Sequence, residues 1–306
     1  MTTAATAGTL RWDWRWLILL VPAAAVAVTM AVLFARGLRE LPVVQDWIVT
    51  YPGPTPLPEV APVGIPAWLA WTHFLNAFFI VLIIKSGWAV RTVKRPAAFW
   101  TRKLLVRPGT QPKRLSLDLW LHLSVDALWI ANGLLYVVLL FVTGQWMRII
   151  PTSWDFIPNT ISAALQYVSM DWPTEDGWVN YNSLQVLAYF VTVFVAAPLA
   201  FITGLRMSPI WPGNERLARA FPIEWARKVH YPVMLYFVLF VIVHVTLVLA
   251  TGAVRNLNHM YAASNEISWV GVALFAGSVV LMVAAVLAAR PVILRPIAGL
   301  TGKLSR

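Results

Sequence analysis

Six long apolar runs, separated by polar, proline-rich or basic segments, set the pattern of this chain. The runs cover residues 16–35, 67–90, 119–143, 184–205, 229–252 and 269–289. Each supplies the roughly 20 helical residues needed to cross a hydrocarbon core. The pattern therefore predicts an all-α integral membrane protein with six transmembrane helices. Pro22 and Pro198 fall inside runs, where packed neighbours can satisfy the carbonyls they free. Trp16, Trp68, Trp88, Trp120 and Trp269 stand near run ends, where aromatic belts form.

The polar segments predict direction. The N-terminus, segments 91–117 and 206–228 and the C-terminus carry most of the Lys and Arg, whereas only Arg36, Arg39, Arg148 and Arg255 fall on the other side. Lys85 lies within the second run. The positive-inside rule then places both termini in the cytoplasm of a cell membrane. The first run follows Arg11 and Arg15 as a signal peptide would, but its apolar stretch exceeds the usual core of about 7–15 residues, so a retained anchor is expected. Segment 36–66 contains Pro42, Pro52, Pro54, Pro56, Pro58, Pro62 and Pro66 and is expected to form an extended, irregular strap on the outer side. Segment 144–183, also outside, carries Asp155, Asp171, Glu175 and Asp176. No internal repeat or separate soluble domain is visible. The expected organisation is an anchor and strap over 1–66, a four-helix core over 67–255, and a last helix with a basic tail over 256–306.

Composition agrees with a lipid environment. The chain is 59% hydrophobic and 12% charged, about half the charge of an ordinary soluble domain. Its net charge of +11 would suggest nucleic acid in a soluble protein. Here the basic residues lie between apolar runs, no folded basic module is visible, and segment 91–117 is expected to meet anionic lipid headgroups. The absence of cysteine excludes disulfides, iron–sulfur clusters and covalently attached c-type haem in this chain.

Histidine carries the chemistry. Four of the five histidines fall in or at the ends of runs: His73 in the second, His122 in the third, His230 and His244 in the fifth. Ionisable groups in a bilayer are costly and tend to be functional. A single one could merely bond a backbone carbonyl; four together need more. The alternating topology sorts them into two depth-matched pairs, His73 with His244 near the outer face and His122 with His230 near the inner face. His230 and His244 are 14 residues apart, about 40° short of four full turns and about 21 Å along a helix axis. One helix can thus present two imidazoles to two stacked cofactor layers, and bundle interiors are where such sites are built. Haem suits each layer, since it fills a large apolar slot and takes axial histidine. Gly133 lies 11 residues from His122, about 20° off the same face, and could leave room for the outer macrocycle; Gly87, 14 residues after His73, could do so for the inner one. Close helix packing is the plainer reading of each glycine. Zinc would need more ligands per layer, and a proton or ion relay would not need paired histidines.

This arrangement resembles the four-helix di-haem cytochrome b membrane subunits of bacterial respiratory complexes, such as those of formate dehydrogenases and nickel–iron hydrogenases. The shared pattern is one histidine on each of the first two core helices and two on the fourth, over roughly 67–255. The stretches Tyr181-Asn182-Ser183-Leu184-Gln185 and Thr203-Gly204-Leu205-Arg206-Met207-Ser208-Pro209 look closer to cytochrome b partners of sulfite-oxidase-type molybdopterin oxidoreductases. The resemblance implies two b-type haems held by His73, His122, His230 and His244, exchange with quinone, and an extracytoplasmic oxidoreductase partner. The chain would then be an electron-transfer subunit without a catalytic residue of its own. It departs from the formate dehydrogenase group by an added N-terminal and an added C-terminal span, so its core starts outside, and which haem would meet quinone does not carry over. A cofactor-free membrane anchor and an ion transporter are the competing readings, and haem content separates them.

Other polar residues give finer expectations. Asp126, one turn from His122, and Lys85 could flank an inner-leaflet quinone pocket, or form an ion pair that only fixes packing; Lys85 could also snorkel to the interface. Arg206, Arg227 and Lys228 are candidates to meet inner haem propionates, and Arg148 and Arg255 outer ones, against the plainer reading of interfacial charge. His259 has no depth-matched partner and is expected at the surface or a partner contact.

Overall fold

The computed structural model describes residues 15–103, 112–172 and 176–305, with side chains from Ile18 onward. Arg11, Glu175 and the side chains of Arg15 and Trp16 lie outside the described residues. Among the described residues, six helices are long and apolar enough to cross a membrane: Ile18–Arg39, Ala67–Thr92, Leu117–Val142, Ser183–Met207, Ile223–Ala250 and Val270–Ala288. They match the six apolar runs, lengthened where polar turns continue the helix. We name them α1 (Arg15–Arg39), α3 (Ala67–Thr92), α4 (Leu117–Val142), α6–α7 (Ser183–Phe190 and Ala197–Met207), α9 (Ile223–Ala250) and α11 (Val270–Ala288). Between α6 and α7 lies a π-helical turn, Val191–Ala196, immediately before Pro198. Proline has no N–H to give the preceding turn and its ring crowds that turn's carbonyl; a wider turn there absorbs both defects without ending the helix.

The segments between spans hold more structure than their composition suggests. The strap is not wholly irregular: α1 runs to Arg39, and α2 (Pro42–Thr50) follows, with Pro42 at its start, where a missing N–H costs nothing. Past Val142, a 3-10 turn (Gln145–Arg148) leads to α5 (Phe156–Val168), whose Asn159, Ser162, Ala163 and Gln166 are buried while Ile157 and Ile161 are exposed. Four further short helices complete the chain: α8 (Glu215–Ala220), α10 (Ala253–Ala262) and, after α11, α12 (Pro291–Thr301), counting α2 with them. At the basic end, β1 (Phe99–Arg102) pairs antiparallel with β2 (Arg114–Ser116) and with β3 (Gly302–Ser305). The segment expected to meet lipid headgroups thus supplies two of the three strands of a small sheet that ties the C-terminal tail to the core. Trp100 Nε1 donates to the Ala298 carbonyl at 3.1 Å, and Leu82, Ala98, Leu117, Leu121, Val125, Leu294 and Ala298 form the buried cluster beneath.

Two helical hairpins make the core. One is α3 packed on α4; the other is α7 packed on α9. Asn132, buried on α4, donates to the Thr72 carbonyl at 3.1 Å and to Asn76 at 3.0 Å, fixing the register of the first hairpin. The hairpins meet through ring contacts such as Trp129 with Phe237. We call the region where the two hairpins face each other the slot. α11 packs on α3 and α10, while α1 stands at the periphery against α2 and α5. Its far end is latched by Arg36 Nε to the Ser169 carbonyl at 3.0 Å, and by Arg39 to Ser169 Oγ at 2.9 Å and to Asp171 at 2.5 Å.

Candidate functional site: two histidine layers in the slot

The slot brings together the four histidines that helical spacing pairs. His73 of α3 faces His244 of α9 with ring centres 6.2 Å apart, and His122 of α4 faces His230 of α9 at 6.4 Å. We call these the strap-end and basic-end layers. Two imidazoles joined through one metal, at about 2.0 Å per bond plus about 1.1 Å from each ring centre to its nitrogen, would have centres about 6.2 Å apart. Both layers match that spacing. Among the described residues no group of three or more His, Asp or Glu gathers to hold a metal. Each layer offers two imidazoles and no more, which suits a metal already held equatorially by a macrocycle and does not suit protein-bound zinc.

The basic-end layer is held by hydroxyls. Ser86 Oγ gives its proton to the Leu82 carbonyl at 2.7 Å and lies 3.0 Å from His122 Nδ1. Thr203 Oγ1 gives its proton to the Leu199 carbonyl at 2.5 Å and lies 2.9 Å from His230 Nδ1. A hydroxyl has one proton. With that proton on a carbonyl, the oxygen accepts from Nδ1–H, and each Nε2 keeps its lone pair. The residue after each hydroxyl is glycine. A Cβ on Gly87 would stand 3.1 Å from His122 Cε1, and one on Gly204 3.3 Å from His230 Cε1. The room Gly87 leaves is therefore taken first by the imidazole itself. Asp126 Oδ2 is 3.5 Å from His122 Nε2, too long to commit that nitrogen.

The strap-end layer is held by rings. His244 stacks on Phe240, with centres 5.5 Å apart and planes 4° from parallel, and meets Tyr189 edge-on at 6.1 Å. His73 meets Tyr261 edge-on at 6.1 Å. Its Nδ1 is buried without a hydrogen-bond partner among the described residues. A Cβ on Gly133 would meet nothing within 4 Å.

The remaining candidates separate. Lys85 Nζ donates to the Ala289 carbonyl at 2.5 Å, closing the end of α11 as cations do at helix C-termini, and it makes no ion pair with Asp126. Arg206 Nε donates to the Phe221 carbonyl at 2.5 Å, with its guanidinium 5.1 Å from the Trp211 ring. It lies three residues beyond Thr203 and borders a cavity of about 380 Å³ shared with Lys113, Trp211 and Asn214. Arg227 and Lys228 are exposed. Arg148 is spent on backbone: its terminal nitrogens donate to the carbonyls of Gly64, Gly177 and Trp178. His259 is the clear departure from expectation. It is 2% exposed, bonded to Asn265 at 2.9 Å and packed on Trp178, because α10 folds back onto α11 instead of leading away from the bundle. Burial lowers the His259 imidazole, opposed by Asn265 and Asp176. Burial also raises the Tyr181 phenol, offset in part by Arg148.

Sequence reasoning passed over Ser86, and took Thr203 and Gly204 only as part of a family-like stretch, without a role beside histidine. The signal was present as a hydroxyl–glycine pair at the same end of two spans.

A putative protein-methionine-sulfoxide reductase subunit, YedZ1, from Azospira oryzae is 27% identical over 202 residues, covering 60% of this chain and 88% of that protein. No solved structure matches the chain. The family model for prokaryotic cytochrome b561 matches residues 64–263, which takes in both hairpins, the slot and all four of its histidines, and the chain belongs to that family.

Proposed function

We propose that this protein, a multi-pass membrane electron-transfer subunit of the cytochrome b kind, carries two b-type haems, one between His73 and His244 and one between His122 and His230. The observation that carries the reading is the pair of ring-centre distances, 6.2 and 6.4 Å, on one helix face at two depths. Haem iron supplies reversible one-electron chemistry. The chain's own residues bind and orient. The four imidazoles offer axial nitrogens, Ser86 and Thr203 fix two of them, Gly133 leaves room for the strap-end haem, and the apolar slot excludes water. Arg206 borders the basic-end layer as a partner for a propionate.

The redox partners belong to the same proposal. Quinone exchanges electrons from within the membrane, with Asp126 as the carboxyl nearest a histidine layer. Lys85 has no part in that pocket, since its ammonium closes α11. The basic end, with β1–β3 and the tail, faces the cytoplasm by the positive-inside rule. The strap end, built from α2, α5, α10 and the Arg148 cluster, then faces outward and receives an oxidoreductase subunit. A relative named as a protein-methionine-sulfoxide reductase subunit supports such a partner, and a molybdopterin enzyme fits the resemblance of the sequence.

The test is the visible spectrum of the purified chain, oxidised and dithionite-reduced, with a pyridine haemochrome count. About two b haems per chain, falling to about one in His73→Ala and in His122→Ala, is the expected result. A chain without haem after expression with ample haem would overturn the reading.

A further inference from the structure

The two layers fix their histidines by different means, and that difference has an electrochemical consequence. At the basic end each Nδ1 meets a hydroxyl oxygen, Ser86 at 3.0 Å and Thr203 at 2.9 Å, beside the backbone of Ile83 and Ala200. Both hydroxyls are themselves bonded to carbonyls of the preceding helical turn. A hydroxyl that donates is polarised and accepts more strongly. At the strap end the contacts are rings, Phe240 and Tyr189 on His244 and Tyr261 on His73, and His73 Nδ1 has no partner among the described residues.

An acceptor on the far nitrogen of a metal-binding imidazole fixes its tautomer and raises its basicity. A more basic axial ligand favours the oxidised, more positive iron, and outer hydrogen bonding is one of the levers that set haem potential. We infer that Ser86 and Thr203 are positioning residues that give the basic-end layer the lower reduction potential, so that a single electron runs downhill from the basic end to the strap end. No bond is made or broken in that transfer and no proton accompanies it. The inference rests on the two-haem reading.

Each hydroxyl–glycine pair makes the device specific. Serine or threonine bonding back to the carbonyl four residues earlier is common and carries no function by itself. Here the same hydroxyl also meets a histidine nitrogen, and the next residue lacks the Cβ that would crowd that imidazole at 3.1 or 3.3 Å. The combination occurs twice, on α3 and on α7, against the two histidines of one layer.

The test is stepwise potentiometric reduction of the full-length protein in detergent, monitored at the haem absorption bands. Haem is counted first, so that a wild-type chain with fewer than two haems counts against the functional reading and not against this one. With two haems, two waves are expected. The wave lost in His230→Ala should be the lower one, and finding it the higher one overturns the inference. In Ser86→Ala combined with Thr203→Val that wave should shift upward while the other stays in place. Two retained haems with both waves unmoved would refute the role. Should the double variant lose a haem, Ser86→Thr with Thr203→Ser decides: restored haem and a restored low wave support positioning by the hydroxyls, and continued loss shows a packing role only.

Discussion

Arg148 Nη1 donates to the carbonyl of Gly64 at 2.5 Å, joining the turn after α4 to the strap ahead of α3. The same guanidinium reaches Gly177 at 2.6 Å and Trp178 at 3.2 Å, and lies 4.9 Å from the Tyr181 ring. Gly64 has φ +92°, and a Cβ there would strike Trp178 at 2.8 Å. One buried cation thus ties its own turn to two loop segments, through three of their carbonyls. Arg148→Ala removes all three charged donors; Gly64 keeps Gln145 and Trp178 keeps the Gly64 amide, while the Gly177 carbonyl loses its partner. Each hydrogen bond to a charged group is worth about 1.5–3 kcal/mol, so a loss of about 3 kcal/mol is expected. It reads out as a lower unfolding temperature, with Arg148→Lys intermediate because one ammonium cannot span the fork. An unchanged unfolding temperature would show that water replaces the guanidinium at no cost.

His259 makes the strap end sensitive to acid. Burial is the main cause that depresses its folded affinity for a proton. The unfolded imidazole takes a proton near its ordinary value of about 6.5, and the folded one only at lower pH. Between those two values the unfolded state binds more protons, so stability falls as pH falls through that window and is fully present above it. Thermal unfolding should therefore shift down between pH 7.5 and pH 5.5, and the shift should shrink in His259→Gln, which keeps a polar group for Asn265 without a titrating ring. An identical pH dependence in the variant would assign the effect to other groups.

The gross architecture was legible in the sequence because span length and helical period are strong signals. His230 and His244 share a face by arithmetic alone, and alternating topology assigned their partners. Other features were hidden for definite reasons. β1 pairs with β3 across some 200 residues, through strands of four residues, too short for an alternating pattern to register. α2 was masked by the prolines around it, although Pro42 is well placed to begin a helix. Ser86 and Thr203 looked like ordinary helix back-bonding, and only the facing histidine gives them a role. The burial of His259 depends on Asn258, which accepts from Ser268 at 2.8 Å and from the Gly271 amide at 3.1 Å and so folds α10 against α11.

Gly133 and Gly87 should respond differently to a larger side chain. Nothing lies within 4 Å of a Cβ at Gly133, whereas one at Gly87 stands 3.1 Å from the His122 ring. Gly133→Leu is expected to leave folding unchanged and to lower the haem count by about one per chain, the strap-end haem, because the leucine occupies space the macrocycle needs. Gly87→Leu should displace His122 and cost both the basic-end haem and stability, at about 1–3 kcal/mol for overpacking. Full haem in Gly133→Leu would mean that the open space at Gly133 faces lipid.

Asp126 offers the sharpest test of quinone exchange. Its carboxylate is 3.5 Å from His122 Nε2, and its side chain is 24% exposed, so it reaches both a histidine layer and the surroundings of the bundle. Lys85 is occupied at the end of α11, so no fixed cation holds the carboxylate charged. Quinone reduction takes up two protons with two electrons, and a carboxyl that can gain and lose a proton beside the electron source is suited to supply them. Asp126→Asn keeps the shape and removes the exchange. Oxidation of the reduced protein by a short-chain quinone should slow by about 10²-fold, the lower bound for loss of a general acid, while both haems remain. Oxidation by ferricyanide, which needs no proton, should keep its wild-type rate. Equal slowing with both oxidants would show that Asp126 acts on the haem itself, and equal wild-type rates with both would remove it from the quinone site.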